Sequence, residues 1–127
     1  MAVILLLEPD TILGRTYQAT LTKSGHKVSW FRSAGAAISS VDEQLPQLVI
    51  VELQLSTHNG VEFLYEFRSY QDLAAIPILV LTNVPPLFKA FSVGIWEQLG
   101  VVAYHYKPLT KLTDLTRSVD RILAPVT

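Results

Sequence analysis

The most constraining feature of the sequence is a set of short apolar runs that show no alternation between polar and apolar positions. Val3–Leu7 and Leu48–Val51 are apolar at every position, so a strand formed by either run must bury both of its faces. Strands of this kind are typical of parallel sheets, whose connecting helices cover the sheet on both sides. The runs therefore favour an α/β fold with a parallel sheet.

The segments between the apolar runs show helical periodicity. Leu13, Tyr17 and Leu21 recur every four residues and predict a helix that ends at Ser24–Gly25. Ser33 is a candidate N-cap for a short second helix. The complete pattern predicts five strands and five helices in alternation. The strands are predicted at 3–7, 27–31, 48–51, 76–81 and 101–106, and the later helices at 60–71, 85–99 and 112–122.

Composition and charge restrict the class of protein. Half of the 127 residues are hydrophobic and 17% are charged, which excludes disorder and suits a single domain over residues 1–127. Ten basic and eleven acidic residues give a net charge of −1, which argues against nucleic-acid binding. The absence of cysteine excludes disulfides and thiolate metal sites. Because Ala2–Leu7 is too short for a membrane span and lacks a basic leader region, we expect a cytoplasmic protein.

Polar side chains follow or end four of the predicted strands. They are Glu8 and Asp10 after the first strand, Glu52 after the third, Thr82 at the fourth and Lys107 after the fifth. Ligands and chemistry in open parallel sheets are found outside the carboxyl ends of the strands. We therefore expect these side chains to converge on one polar site.

In order and spacing this set resembles the receiver (REC) domain of two-component response regulators, over nearly the whole chain. The resemblance rests on Glu8, on Glu52 with Gly60 eight residues later, on Thr82, and on the Tyr104–Pro108 segment that contains Lys107. It implies a flavodoxin-like (βα)5 doubly wound sandwich with a five-stranded parallel sheet in the order 2-1-3-4-5. It also implies a signalling domain and not an independent enzyme, so we expect no catalytic residues.

The resemblance also implies a chemistry for the family. A receiver takes a phosphoryl group from a histidine kinase onto an Asp after strand 3, and a Mg²⁺ held by that Asp and an acidic pair assists the transfer. The Asp position is occupied here by Glu52. Thr82 and Lys107 match the positions that hold the phosphoryl oxygens, and Tyr104 matches an aromatic residue that changes rotamer.

The sequence departs from the family where the chemistry takes place. The phosphoacceptor position carries Glu52, which is one methylene longer than Asp, and the direct metal-ligand position of the acidic pair carries Pro9. Asp10 is one position late, and Asn83 stands where the family usually has a small residue. Fewer carboxylates should weaken Mg²⁺ binding considerably. We therefore expect a degenerate site without a metal ion, in which Lys107 pairs with Glu52.

These departures predict a pseudo-receiver that acts by protein–protein interaction without phosphorylation. Glu52 is then either a fixed mimic of the phosphorylated state or a salt-bridged carboxylate with no switching role. Thr82 either keeps its phosphate-contact role or only ends its strand, and Tyr104 is either a switch or a packing residue. The expected partner is a histidine kinase or a downstream effector, and a homodimer is a further possibility. The partner face is predicted to include Phe88, Trp96 and Tyr106, on helix 4, strand 5 and helix 5.

Two other functions remain open on the sequence. One is an active receiver that is phosphorylated with Mg²⁺ at Asp10 or another nearby acid. The other is a flavin or nucleotide binder on the same fold, although the loops after strands 1 and 3 lack a Gly/Ser/Thr-rich phosphate cradle. Among the histidines, His58 lies near the predicted site without a second ligand at metal spacing, and His26 is expected to be an exposed turn residue.

Overall fold

The computed structural model describes residues 2–56, 59–86 and 93–125. They form one parallel sheet of five strands in the order β2-β1-β3-β4-β5, with helices between successive strands. The strands are β1 Val3–Leu7, β2 Lys27–Phe31, β3 Leu48–Val51, β4 Ile78–Thr82 and β5 Val101–Tyr106. The helices are α1 Thr11–Lys23, α2 Ala34–Ser40, α3 Gly60–Ser69, α4 Val93–Gln98 and α5 Leu112–Leu123, with 3₁₀ turns at Gln71–Leu73 and Lys107–Leu109. The predicted flavodoxin-like fold and its sheet order are confirmed.

The two faces of the sheet have separate hydrophobic cores, as the unbroken apolar runs require. Leu5 and Leu7 of β1 point into a cluster with residues of α2, α3 and α4. Ile4 and Leu6 point the other way, into a cluster with residues of α1 and α5. Adjacent side chains of one strand therefore enter different cores, which is why neither face of β1 has polar positions.

The helix boundaries follow the capping residues. The Asp10 side chain accepts a hydrogen bond from the Leu13 N–H at the start of α1, and Ser33 accepts one from Ala36 at the start of α2. The Ser33 cap was predicted from the sequence. After α1 the chain turns at Gly25, which has a positive φ of 99° that a glycine adopts without strain.

Most boundaries lie within one residue of the prediction, and the larger differences are at the third helix, the fourth strand and the fourth helix. The third helix ends at Ser69 and not Gln71, because Tyr70 is extended and a separate 3₁₀ turn follows it. Strand β4 begins at Ile78 and not Ile76, because Pro77 has no N–H to donate to the neighbouring strand. The fourth helix was predicted to begin at Pro85–Pro86, but neither residue is helical, because a residue that precedes a proline disfavours the helical conformation. Residues 87–92 lie outside the described residues. No described helix has the length and apolar character needed to cross a membrane.

His26 differs from its predicted environment. It was expected to be exposed, but its side chain is only 12% accessible, and Nε2 lies 3.6 Å from Oδ1 of Asp120 on α5. The turn after α1 packs against α5, a tertiary contact that the local sequence does not show. His58 lies outside the described residues.

Candidate functional site

The carboxyl ends of the strands bring two carboxylates and one ammonium group into a buried cluster. Glu8 follows β1, Glu52 follows β3, and Lys107 follows β5. The Lys107 Nζ lies 2.7 Å from Oε1 of Glu8 and 2.6 Å from Oε1 of Glu52. The side chains are 7% accessible for Lys107 and 2% for each glutamate. Sequence reasoning paired Lys107 with Glu52 alone, whereas the ammonium group bridges both carboxylates.

The Glu52 carboxylate accepts hydrogen bonds from four donor groups. Its Oε1 accepts from the Lys107 ammonium group and from the Asn83 N–H at 3.3 Å. Its Oε2 accepts from the Gln54 N–H at 3.0 Å and from the Thr82 hydroxyl. Both oxygens are therefore surrounded by donors, which is the arrangement that stabilises a buried anion.

The Glu8 carboxylate has fewer donors. Its Oε1 faces Lys107, and its Oε2 accepts from the Asp10 N–H at 3.0 Å. Burial raises the pKa of Glu8, and the Lys107 hydrogen bond only partly offsets this effect. Burial alone would lower the pKa of Lys107, but its hydrogen bonds to Glu52 and Glu8 outweigh burial and raise it. The cluster thus has a firmly charged lysine and, when both glutamates are ionised, one excess negative charge.

Trp30 on β2 and Arg32 just after β2 both bind the loop that carries Glu8. The Trp30 Nε1 donates to the Glu8 carbonyl at 2.9 Å, and the Arg32 Nε donates to the Pro9 carbonyl at 2.9 Å. The Trp30 indole lies directly over Gly14 of α1, where a Cβ would overlap it. Sequence reasoning missed both residues, because a contact to a backbone carbonyl leaves no motif at either partner.

The donor set does not suit Mg²⁺. Pro9 has no side-chain oxygen, and the Asp10 carboxylate is used to cap α1. All four carboxylate oxygens of Glu8 and Glu52 already accept from protein donors. Among the described residues, no group of three metal-ligating side chains comes together. Magnesium is held through one or two carboxylates and completes its shell with water, but neither Glu8 nor Glu52 has a carboxylate oxygen without a protein donor. These residues therefore do not fit the ion that the family resemblance implies.

A chain of contacts leads from Glu52 toward α4. The Thr82 hydroxyl donates to Glu52 and accepts from the Val84 N–H at 3.1 Å. The Tyr104 hydroxyl donates to the Val84 carbonyl at 2.7 Å. The Trp96 ring lies edge-on to Tyr104 with their centroids 5.6 Å apart. The charged cluster is therefore connected by direct contacts to the aromatic residues of α4 and β5.

The predicted partner face is described only in part. Trp96 and Tyr106 are both half-buried. Trp96 also packs against the core cluster beside α3, so only part of its ring is available to a partner. Phe88 lies outside the described residues.

Comparison with known proteins gives a consistent assignment. A family model described as the response regulator receiver domain matches residues 4–119. The transcriptional regulatory protein QseB of Haemophilus influenzae is 35% identical over 62% of this chain and 35% of its own length. The probable methanogenesis regulatory protein FilR2 of Methanothrix harundinacea is 28% identical over 94% of this chain and 80% of its own length. The chain thus spans about a third of the length of QseB and most of that of FilR2.

Solved structures show the same fold. The chemotaxis protein CheY4 of Vibrio cholerae superposes with a TM-score of 0.85 at 20% identity, over 97% of this chain and 99% of its own. The Mn²⁺-bound form of response regulator Rcp1 superposes with a TM-score of 0.76 at 30% identity, over all of this chain and 98% of its own.

Proposed function

The chain belongs to the response regulator receiver domain family, and we propose that within this family it is a pseudo-receiver, which signals without being phosphorylated. Its output is a protein–protein interaction with a kinase or a downstream effector, in the cytoplasm. In this proposal the Glu52 carboxylate permanently occupies the position where an active receiver carries its phosphoryl group. Lys107 and Thr82 hold that carboxylate in place of phosphoryl oxygens.

The observation that carries this proposal is the complete engagement of Glu52 by donors. Its two oxygens accept from the Lys107 ammonium group, the Thr82 hydroxyl and the backbone amides of Asn83 and Gln54. A phosphoryl acceptor must present one oxygen free for in-line attack. Here each oxygen is held by two donors within a site that solvent barely reaches, which favours a fixed anion over a nucleophile.

The contacts beyond Thr82 supply the route to a partner. The Thr82 hydroxyl donates to Glu52 and accepts from the Val84 N–H. The Val84 carbonyl in turn accepts from the Tyr104 hydroxyl, so a fixed Glu52 restrains Tyr104 through these hydrogen bonds. We expect this chain of contacts to keep α4 and β5 in one arrangement. The proposed partner face comprises Trp96 and Tyr106, together with the predicted Phe88.

Amide NMR titration tests this function. We expect that Mg²⁺ with beryllofluoride, a mimic of a phosphoryl group bound to Asp, leaves the amides of Glu8, Glu52 and Lys107 unshifted. The matched control is the P9D/E52D double variant, which restores the two family acids. Specific, saturable shifts at these three residues in the natural sequence would contradict the proposal and favour an active receiver.

The proposed link between Glu52 and Trp96 has its own test. In a W30F background, Trp96 is the sole tryptophan, because the chain has two. We expect E52A to change the emission of Trp96 by releasing Thr82 and Tyr104, and we expect the exposed substitution E97A to leave it unchanged. An unchanged spectrum in W30F/E52A would show that the cluster does not control α4.

A further inference from the structure

A groove between α2 and α3 lies at the amino ends of the strands, opposite to the carboxyl ends that carry Glu52. The helices run back against the strands, so their C-terminal ends lie beside the start of the strands and away from the charged cluster. The groove has a volume of about 460 Å³ and is lined by Ile38, Val41 and Leu73 together with Leu45 and Tyr70, among others. Leu45 is 49% and Tyr70 43% exposed. The lining also includes Ser39, so the groove combines polar surface with apolar side chains. Accessible apolar side chains beside polar ones are typical of a docking surface.

The rim of this groove is acidic. Asp42 and Asp72 line it from opposite sides, and both are exposed. Within the described part of the chain, neither carboxylate has an ion-pair partner. The Tyr70 hydroxyl donates to Glu66 at 3.3 Å, and the pKa of Tyr70 is raised by the charge of Glu66 first and also by that of Asp42.

The segments that form the groove are also acidic in composition, like its rim. The two segments that form the groove, 34–47 and 60–76, hold five of the eleven acidic residues and one of the ten basic residues. The acids are Asp42, Glu43, Glu62, Glu66 and Asp72, and the base is Arg68. The rest of the chain therefore has more basic than acidic residues, although the whole has a net charge of −1. A partner attracted to the groove must carry positive charge.

We propose that the α2–α3 groove binds a basic polypeptide segment that inserts one or two apolar side chains between Leu45 and Tyr70 while its lysines or arginines face Asp42 and Asp72. The volume suits a few side chains of a peptide. Nucleic acids and anionic membranes have the wrong charge for this rim. The proposal does not depend on whether Glu52 is phosphorylated.

Selection from a random 12-residue peptide library displayed on phage tests this proposal, with the full chain as bait. We expect enriched peptides to combine Lys or Arg with Leu, Ile or Phe. Their amide shifts on the protein should fall within 38–45 and 70–73. Affinity should fall about tenfold in D42K and in D72K and should also fall with added salt, because surface charges at a rim are screened.

The control is E97K, which makes the same change in net charge at an exposed position on α4 and should bind the peptides as the natural sequence does. No enrichment, enrichment of acidic or uncharged peptides, or full binding by D42K and D72K would each overturn the proposal. Sedimentation of the chain alone, which measures its oligomeric state, completes the test. Concentration-dependent dimerisation that D42K abolishes would make a second copy the occupant, and would also overturn it.

Discussion

Lys107 balances two buried carboxylates, so the stability of the site depends on one side chain. Its ammonium group lies within 2.7 Å of Glu8 and 2.6 Å of Glu52. Removing one member of a buried charged pair leaves an uncompensated charge, which typically costs about 3–5 kcal/mol. We expect K107M to lower the free energy of unfolding in urea by an amount in this range, and the exposed K27M to change it by less than about 0.5 kcal/mol.

A second variant separates charge from packing at Lys107. In E8Q/E52Q/K107M both carboxylates are neutral, so the lost ammonium group no longer leaves buried charge behind. We expect this triple variant to be more stable than K107M alone. If K107M costs under about 1 kcal/mol, or if the triple variant recovers nothing, the cluster is not the charged network described above.

Glu8 should give the stability of the protein a characteristic pH dependence. Burial raises the pKa of Glu8 in the folded state above its ordinary value. The folded chain therefore binds the Glu8 proton more tightly than the unfolded chain does. The stabilisation that results is fully present below the pKa of Glu8 in the unfolded chain, and it is lost as pH rises through the pKa in the folded chain. The raised pKa of Lys107 acts only in the alkaline range, where its contribution is lost as pH rises through the folded value.

The E8Q variant lacks the titrating carboxyl group and isolates this effect. We expect its stability relative to the natural sequence to increase as pH rises from 4 to 8, measured by urea unfolding at each pH. Q98A, at an exposed position on α4 with no titrating group, is the control and should give a constant difference. A relative stability of E8Q that is flat or falls with pH would contradict the assigned environment of Glu8.

Among the helices, α1 contains a glycine, Gly14, whose contact with Trp30 should reverse the usual effect of helix propensity. Replacing a glycine inside a helix with alanine usually stabilises by about 0.5–1 kcal/mol. A Cβ at Gly14 would overlap the Trp30 indole, whose Nε1 holds the Glu8 carbonyl. We therefore expect G14A to destabilise the chain by about 1–3 kcal/mol, as overpacking does. Urea unfolding and the tryptophan fluorescence of the folded state measure both effects.

Gly35 in α2 is the matched control. No atom lies within 4 Å of a Cβ built there, so G35A should be neutral or mildly stabilising. If G14A and G35A change stability in the same direction and by the same amount, Trp30 is not fixed against α1. The clamp on the loop that carries Glu8 would then lose its support.

Arg68 joins three elements through backbone carbonyls. Its guanidinium donates to Leu99 at 2.9 Å and to Leu73 and Ile76 at 2.6 Å each. These carbonyls lie just after α4, in the 3₁₀ turn and just before β4. Burial lowers the pKa of Arg68, but a guanidinium remains charged in proteins.

We expect R68M to lower the free energy of unfolding by about 3 kcal/mol, because it leaves three carbonyls without their donor. R68K should be intermediate, since an ammonium group cannot match the fork of a guanidinium. R117M on the exposed face of α5 is the control and should cost about 0.5 kcal/mol or less. Equal stability of R68M and R68K would mean that the three carbonyls do not depend on the guanidinium geometry.

The elements and their order were predictable, and their long-range polar contacts were not. The unbroken apolar run Leu48–Val51 identified a buried strand, and Ser33 identified a cap, because both signals are local. The bridge from Lys107 to Glu8, the Gln54 amide on Glu52 and the Trp30 clamp depend on residues brought together only by the sheet order. Backbone donors also carry no sequence signature, so no spacing rule predicts them.

At the scale of the whole molecule, the two ends of the sheet have separate proposed roles. The carboxyl end carries the fixed anion Glu52 and its contacts toward Trp96, and the other end carries the acidic groove between α2 and α3. In the proposed function the chain acts through partner proteins and not through phosphorylation. We therefore expect substitutions at Asp42 or Asp72 to leave the Glu52 cluster, and its NMR signature, unchanged.

Intact-mass spectrometry after incubation with acetyl phosphate and Mg²⁺ measures whether Glu52 permanently replaces the phosphoryl group. We expect no added mass for the natural sequence, with P9D/E52D tested alongside it as the variant whose restored acids favour modification. A stoichiometric adduct of one phosphoryl group on the natural sequence, dependent on Mg²⁺ and lost in E52A or D10A, would overturn the pseudo-receiver proposal and establish an active receiver.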